Sequence, residues 1–161
     1  MNGELSFSKH SGIYTLEVVQ ELKLSLHEAW KFFSAPQNLQ KITPKEMGFK
    51  ITSKVEGKMH AGQIITYRVG ILPGIKSNWV TEITHVENEK FFVDEQRFGP
   101  YSMWHHEHHF EEKNGKVIMR DKVSYRLPLP WLTNLFHGLI IKPQLKKIFG
   151  HRFTVINQHL T

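Results

Sequence analysis

Residues 92–110, FVDEQRFGPYSMWHHEHHF, are the stretch of sequence that decides the fold. Its two halves alternate as β-strands do, and the Gly99-Pro100 pair between them is typical of a turn. Because neighbouring side chains of a strand point to opposite faces, one face of the second half carries Trp104, His106, His108 and Phe110. The two large apolar residues at its ends predict that this face is the inner one.

Polar side chains are therefore expected inside. His106 and His108 should point into the interior, whereas His105 and His109 should face solvent. By the same alternation, the inner face of the preceding strand carries Phe92, Asp94, Gln96 and Phe98. The next strand follows the hairpin signal at 114–115, and its inner face carries Met119, Asp121, Val123, Tyr125 and Leu127. These strands predict one polar patch in an aromatic wall, made of Asp94, Gln96, His106, His108 and Asp121.

The chain before this region begins with one strand and two short helices. Alternating apolar residues predict the strand at 13–23. Ser25 and Glu28 have the spacing of a capping box, which begins a helix at 26–33. A second short helix follows near Pro36 and ends before Pro44. Turn residues then separate six predicted strands: Gly48–Val55, Gln63–Gly70, Lys76–Val86, Lys90–Phe98, Tyr101–Glu111 and Val117–Leu127.

The C-terminal region changes to helical spacing. A long helix is predicted from the recurrence of Leu145, Ile148, Phe149, Arg152 and Ile156. Pro143 is expected to start or kink it, and the apolar residues 131–141 to form a separate short helix. The fold class is thus α+β, with a curved seven-stranded antiparallel sheet around the long helix and two short helices after the first strand. Such an arrangement predicts a cavity between sheet and helix.

The composition of the chain excludes several classes of protein. Its 161 residues are 40% hydrophobic and 22% charged, so we expect residues 1–161 to form a single globular domain. There are no cysteines, which excludes disulfides and cysteine-based sites, and a cytoplasmic location is expected. The net charge of +6 is scattered along the chain, and no motif for nucleic-acid binding is present. The sequence does not predict an oligomeric state.

The polar patch has several interpretations. A buried network of aspartate and histidine can be purely structural. His106 and His108 could also reach one metal ion, and Asp94 or Asp121 would then complete a two-histidine, one-carboxylate set. This set depends on the assumed strand register, and we expect no metal and no cofactor. Ser102 is the one candidate for a serine nucleophile.

Arg152 lies on the inner stripe of the predicted helix, between Phe149 and Ile156. A buried guanidinium without a partner is costly, so we expect Arg152 to pair with Asp94 or Asp121. Alternatively, it lies at the mouth of the cavity, where it would hold an anionic group of a ligand.

The order of elements and several motifs resemble one superfamily over nearly the whole chain. The chain resembles the START-like, birch-pollen-allergen-like proteins of the helix-grip fold, often called SRPBCC. Within them it looks like the bacterial polyketide cyclase/dehydrase-like group. The motifs that carry the resemblance are Phe33-Ser-Ala-Pro-Gln-Asn-Leu39, Trp79, Asp94-x-Gln96-x-x-Gly99-Pro100-Tyr101-x-x-Trp104-x-His106-x-His108-x-Phe110, Asp121-x-Val123-x-Tyr125-x-Leu127-Pro128 and Ile148-Phe149-x-x-Arg152. The resemblance implies a helix-grip domain with a cavity for a hydrophobic small molecule, but it implies no particular reaction.

Three functions are consistent with these observations. The first is binding of a hydrophobic small molecule in the cavity. The second is a cofactor-independent cyclase or dehydratase, with His106, His108, Asp94 and Asp121 as candidates for acid–base catalysis. The third is a lipid-transfer or membrane-surface module that docks through Trp131, Leu132, Leu135 and Phe136 beside Lys142, Lys146 and Lys147. The expected ligand-binding residues are Trp79, Asp94, Gln96, Trp104, His106, His108, Phe110, Asp121, Tyr125, Phe149 and Arg152.

Overall fold

Eight antiparallel strands form one sheet in the structure, a computed structural model that describes residues 5–72, 74–128 and 133–159. The strands are β1 (Leu5–His10), β2 (Ile13–Leu22), β3 (Lys50–Ile51), β4 (Gln63–Leu72), β5 (Ile75–Glu87), β6 (Phe91–Phe98), β7 (Met103–Lys113) and β8 (Lys116–Arg126). Their order in the sheet is β1-β2-β8-β7-β6-β5-β4-β3. The α+β helix-grip architecture predicted from the sequence is therefore confirmed.

The strand count differs from the prediction by one. β1 was not predicted; it pairs with β2 through a tight turn in which Ser11 and Gly12 both have positive φ, at 49° and 81°. Its side chains are mostly exposed, so its sequence lacks the apolar alternation of a half-buried strand. β3 has only two residues, Lys50 and Ile51, where a strand was predicted at 48–55.

Helices cover one end and the inner face of the sheet. α1 (Leu26–Phe33) begins at the predicted capping box, in which Ser25 Oγ accepts a hydrogen bond from the Glu28 backbone N–H at 3.3 Å. Two 3₁₀ turns follow, at Pro36–Gln40 and Lys45–Met47. At the other end of the chain lie α2 (Thr133–Phe136), a π-helical turn (His137–Ile141) and the long α3 (Lys142–His159).

The C-terminal helix is continuous from α2 to α3. The prediction of a separate short helix at 131–141 was therefore wrong within the described residues, and residues 131 and 132 lie outside them. Pro143 lacks a backbone N–H and its ring clashes with the carbonyl four residues earlier, which disfavours regular α-helical bonding there. The π turn widens the helix at this point, and the Lys142 N–H bonds to the His137 carbonyl, five residues back.

The core lies between α3 and the inner face of the sheet. Leu145 and Phe149 of α3 pack against Leu16 on β2 and Tyr125 on β8. Nearer the end of α3, Ile156 packs in a second cluster with residues of β8 and α1. Because these contacts hold α3 against the β2–β8 side, the opposite side of the sheet stays apart from the helix. No helix among the described residues has the length and hydropathy to cross a membrane.

Irregular pairing of β5 with β6 changes the faces at one end of β6. The register shifts between Val80 and Thr81 and again between Ile83 and His85. As a result, Phe98, which alternation placed inside, is 65% exposed.

Candidate functional site

A cavity of about 370 Å³ lies between α3 and the inner face of β4 to β7. Its walls are largely aromatic and aliphatic, which suits an apolar ligand, and its volume is in the range of small-molecule sites. Representative lining residues are Phe49, Ile65, Tyr67, Trp79, Trp104 and Phe149. The cavity predicted from the sheet-and-helix arrangement is therefore present.

Four polar side chains form a closed cluster at one wall of this cavity. His106 Nε2 is 3.2 Å from Asp121 Oδ1, and its Nδ1 is 3.4 Å from Asp94 Oδ2. His108 Nε2 is 3.0 Å from Asp94 Oδ2, and its Nδ1 is 2.7 Å from Asp121 Oδ1. The last of these contacts is short but poorly aligned, so Nδ1 of His108 makes no hydrogen bond to any residue that the structure describes. We call Asp94, His106, His108 and Asp121 the His–Asp cluster.

The strand register explains why these four residues meet. Asp94 on β6 lies directly opposite His106 on β7, and Asp121 on β8 lies directly opposite His108. Since all four side chains point to the inner face, each histidine also contacts the other aspartate diagonally. The two imidazole rings are 3.8 Å apart between centroids. The polar patch predicted by alternation is thus brought together, with the exception of Gln96.

Burial and neighbouring charges act in opposite directions within the His–Asp cluster. Burial by itself favours the neutral acid of Asp94, but His106, His108 and Arg152 together outweigh it and lower the pKa of Asp94. The pKa of Asp121 is also lowered, because His108 and His106 outweigh its burial. Burial and then repulsion from His108 lower the pKa of His106, whereas the Asp121 carboxylate raises the pKa of His108 in spite of burial. These shifts favour ionised Asp94 and Asp121, the neutral form of His106 and the protonated form of His108.

Arg152 reaches the cavity from α3, and its side chain is buried. The predicted ion pair with Asp94 or Asp121 is not formed. In the part of the chain that the structure describes, no carboxylate lies within ion-pair distance of Arg152, and its buried Nε has no hydrogen-bond partner. The guanidinium instead lies over the ring of Phe149, 4.9 Å from its centroid. Its charge still acts on Asp94 and lowers the pKa of that carboxyl. Arg152 therefore lines the cavity without the expected ion pair, and its role towards a ligand stays a prediction.

A second buried donor lies on the cavity wall. Trp79 was expected there, and its Nε1–H has no hydrogen-bond partner among the described residues. Beside it lies Tyr67, which the sequence reasoning missed; its hydroxyl is 2.8 Å from Thr81 Oγ1. Burial, with a contribution from Asp94, raises the pKa of Tyr67. Alternation along Ile65, Tyr67 and Val69 is the signal that would have placed Tyr67 inside.

The predicted ligand-binding residues divide into two groups. Those that line the cavity are Trp79, Asp94, Trp104, His106, His108, Phe149 and Arg152. Four others do not line it. Phe110 packs with Trp30 and Phe92 in the core, and Tyr125 packs with Tyr14 and bonds to His137. Asp121 lies behind the histidines, and Gln96 bonds to the backbone of Tyr101 instead.

The remaining polar candidates lie outside the cavity. His105 and His109 are on the outer face, with side chains 31% and 43% exposed, which confirms their predicted direction. Ser102 donates its hydroxyl to the backbone carbonyls of Arg126 and Leu127, at 3.1 Å each. It has no histidine partner among the described residues, so the geometry does not support a serine nucleophile.

The residues proposed for membrane docking are only partly described. Trp131 and Leu132 lie outside the described residues, whereas Leu135 and Phe136 are exposed. Phe136 also lines the cavity, so the cavity wall reaches the surface there. The lysines are not one free patch, because Lys142 lies over the ring of Phe7 and Lys147 pairs with Glu46 at 2.6 Å.

Comparison with solved structures finds the same fold in several proteins of low sequence identity. Protein Ms6760 from Mycobacterium smegmatis is 16% identical, with a TM-score of 0.65, over 95% of this chain and 93% of that one. Ginseng major latex-like protein 151 from Panax ginseng is 13% identical, with a TM-score of 0.68, over 93% of this chain and 99% of that one. Ara h 8.0201 is 15% identical, with a TM-score of 0.59, over 92% and 100%.

No family model matches the sequence, and a search of curated proteins finds no match. At these identities, the likeness to solved structures concerns the fold and not the ligand or the activity. The chain has the helix-grip fold of the START-like, birch-pollen-allergen-like proteins that its sequence resembles.

Proposed function

We propose that the protein binds a hydrophobic small molecule that carries an anionic or other hydrogen-bond-accepting group. The observation that supports this most directly is that Trp79 and Arg152 both line the cavity, and that each has a buried donor, Nε1–H and Nε–H, without a partner among the described residues. A buried donor without an acceptor costs about 1–3 kcal/mol, so an acceptor on the ligand would recover this loss. The aromatic walls would enclose the apolar part of the same ligand.

The charge of the site also favours an anionic group. Within the described ranges Arg152 has no direct salt bridge to weaken when a ligand binds, and its guanidinium is already positioned by Phe149. An anion beside Arg152 therefore gains a charge-assisted hydrogen bond without displacing an internal partner.

Two fluorescent probes of nearly the same shape test this proposal. 1-Anilinonaphthalene-8-sulfonate carries a sulfonate, whereas N-phenyl-1-naphthylamine is its neutral analogue. The wild-type protein should bind both probes. Arg152→Met should lower the affinity for the anionic probe by about 10-fold or more and the affinity for the neutral probe by less than about 2-fold. Equal weakening of both probes would show that Arg152 shapes the cavity without recognising charge.

A pair of adjacent substitutions on β4 tests whether the probes bind in the cavity. Ile65 lines the cavity and Ile64 points to the outside. Ile65→Trp should therefore fill the cavity and abolish binding of both probes, whereas Ile64→Trp should leave binding unchanged. Binding that survives Ile65→Trp in a folded protein would place the probes elsewhere and contradict the proposal.

A second candidate function is acid–base catalysis on a bound carbonyl compound, as in a cyclase or dehydratase. It is favoured by the position of Asp94, His106 and His108 on the cavity wall itself. A neutral His106 could accept a proton from a carbon next to a carbonyl, and Arg152 could hold the developing enolate oxygen. The test is exchange of the α-hydrogens of 4-phenyl-2-butanone for deuterium, followed by NMR. Exchange that is faster with wild type than with His106→Gln would support catalysis, and equal rates would contradict it.

A further inference from the structure

Three donor atoms of the His–Asp cluster converge at the cavity wall. They are Asp94 Oδ2, His106 Nδ1 and His108 Nε2, with the carboxylate oxygen 3.4 Å from the first nitrogen and 3.0 Å from the second. All three residues line the cavity, and their donor atoms lie within 4.8 Å of one another. Metal–ligand bonds of about 2.0–2.2 Å place two donors on one ion roughly 3.0–3.4 Å apart, which is the spacing of the carboxylate oxygen from each of the two nitrogens.

Asp121 occupies the position of an orienting carboxylate. Its Oδ1 lies 3.2 Å from His106 Nε2 and 2.7 Å from His108 Nδ1, the ring nitrogens that face away from the three converging atoms. Histidines that bind metals donate their other N–H to a carboxylate or carbonyl in this way, which fixes the ring and its tautomer. Asp94 lines the cavity and Asp121 does not, so the two carboxylates have different positions relative to the open side.

The hydrogen bonds show how each ring would present its lone pair. His106 bonds to Asp121 through Nε2, which leaves Nδ1 free of a hydrogen bond and directed at Asp94. His108 bonds to Asp94 through Nε2, and its Nδ1 lies close to Asp121 without a proper hydrogen-bond angle. A small rotation of His108 would align Nδ1–H with Asp121 and release Nε2 as a ligand.

Arg152 is the cation that faces the cluster from α3, and Tyr67 faces it from β4. Arg152 has no ion pair with Asp94 among the described residues, so this arginine does not compete with a metal ion for the carboxylate oxygens. The tyrosine hydroxyl is held by Thr81 and does not compete for the same oxygens.

We propose that Asp94, His106 and His108 form a site for one divalent transition-metal ion of the zinc, cobalt or iron(II) class, with Asp121 orienting both rings. Three protein ligands leave coordination positions open towards the cavity, the arrangement of a site that also binds a ligand or water. The proposal differs from the expectation of no metal drawn from the sequence, which had no geometry for the three donors. It is independent of the proposed hydrophobic ligand, because the metal alone is the probe.

Surface histidines are the main source of a false result. His105 Nδ1 lies 2.9 Å from Glu95 on the outer face, and His109 Nε2 lies 3.0 Å from Glu107. These outer-face pairs would bind zinc weakly whether or not the inner site exists. The matched control is therefore His105→Gln/His109→Gln, which removes both outer histidines of β7 and keeps both inner ones.

The experiment is calorimetric titration of EDTA-treated protein with Zn²⁺, repeated with Co²⁺ and followed by absorption. The wild type and His105→Gln/His109→Gln should each bind about one ion at the inner site, and Asp94→Ala and His108→Ala should lose it. Asp121→Asn should bind about 10–100-fold more weakly, as expected for an orienting carboxylate. Zinc binding that survives Asp94→Ala, or that disappears in His105→Gln/His109→Gln, would overturn the proposal.

Loss of folding in the inner-face variants would leave the calorimetry uninformative, so a measurement on wild type accompanies it. Histidine-ring ¹⁵N spectra recorded with and without Zn²⁺ should show shifts at Nδ1 of His106 and Nε2 of His108, with protons retained at the opposite nitrogens. Shifts confined to His105 and His109, or no shifts, would equally overturn the proposal. Folding of each variant is checked by circular dichroism.

Discussion

At the scale of single residues, Gln96 shows how a side chain expected in the cavity stabilises a turn instead. Its Nε2 donates to the Tyr101 carbonyl at 2.6 Å, and its Oε1 accepts from the Tyr101 N–H at 3.2 Å. The two bonds close the connection between β6 and β7. Gly99 lies within this connection, and a Cβ added there would be 2.4 Å from Gln96 Oε1. The glycine is required by this contact and not by its backbone conformation.

We predict that Gly99→Ala and Gln96→Ala destabilise the protein through the same two hydrogen bonds. Each substitution should lower the free energy of unfolding by about 1–3 kcal/mol, because the Tyr101 N–H and carbonyl lose their partner. The double variant should be little less stable than either single variant, since a lost bond cannot be lost twice. Urea denaturation of the four proteins measures this. Additive losses would show that Gly99 is needed for a reason unrelated to Gln96.

Residue directions could be predicted from the sequence where the strands are regular. His106 and His108 were placed correctly because β7 pairs with β8 without a register shift between Trp104 and Phe110. Phe98 was placed wrongly because the pairing of β5 with β6 is irregular, and strand alternation carries no sign of such a shift. Asp121 faces inward as predicted, but its position behind the histidines depends on which side of the sheet α3 contacts.

At the scale of elements, the π turn positions a residue that the sequence did not single out. His137 stacks on the ring of Tyr14 at 3.7 Å between centroids, and its Nε2 is 2.7 Å from the hydroxyl of Tyr125. Burial, with a contribution from Lys142, lowers the pKa of His137, which favours the neutral ring that accepts a hydrogen bond from the tyrosine hydroxyl. Because Phe136 and Ile140 on the same segment line the cavity, His137 fixes one part of its wall to the sheet.

A double-mutant cycle should detect this connection. Tyr125→Phe leaves His137 Nε2 without its partner, and His137→Phe leaves the Tyr125 hydroxyl without its partner. We expect each to cost about 1–3 kcal/mol in the free energy of unfolding, and the double variant to cost less than the sum by about 0.5–2 kcal/mol. Thermal and urea denaturation provide the values. A double variant whose loss equals the sum would mean that the two groups stabilise the protein independently.

Element boundaries could be predicted where local signals are strong. The Ser25–Glu28 capping box located α1, and alternation located β2 to within one residue of its end. β1 was missed because an edge strand with exposed side chains has little apolar pattern, so its pairing with β2 depends on backbone bonds that sequence periodicity does not report. Pro143 indicated an irregularity, but the sequence did not predict its form, a π turn at His137–Ile141.

At the scale of the whole molecule, the His–Asp cluster predicts a maximum of stability near pH 6.5. The pKa of His108 is raised above its ordinary 6.5. Its contribution to the free energy of unfolding is therefore complete below pH 6.5 and is lost as the pH rises through the pKa of the folded state. The pKa values of His106 and His137 are lowered below 6.5, so the unfolded chain takes up their protons first and stability falls as the pH drops below 6.5. Asp94 and Asp121, lowered from 3.8, add a further loss below about pH 3.8.

The expected profile has two arms with separate causes, and single variants distinguish them. The free energy of unfolding, measured by urea denaturation between pH 4 and pH 9, should be highest near pH 6.5. Each group should contribute a slope of at most about 1.4 kcal/mol per pH unit. His108→Gln should lower stability overall and flatten the arm above pH 6.5, whereas His109→Gln, on the outer face of the same strand, should retain that arm. His106→Gln should flatten part of the arm below pH 6.5, and His137→Phe another part. A wild-type profile that rises steadily from pH 6.5 to pH 9 would show that the pKa of His108 is not raised in the folded protein.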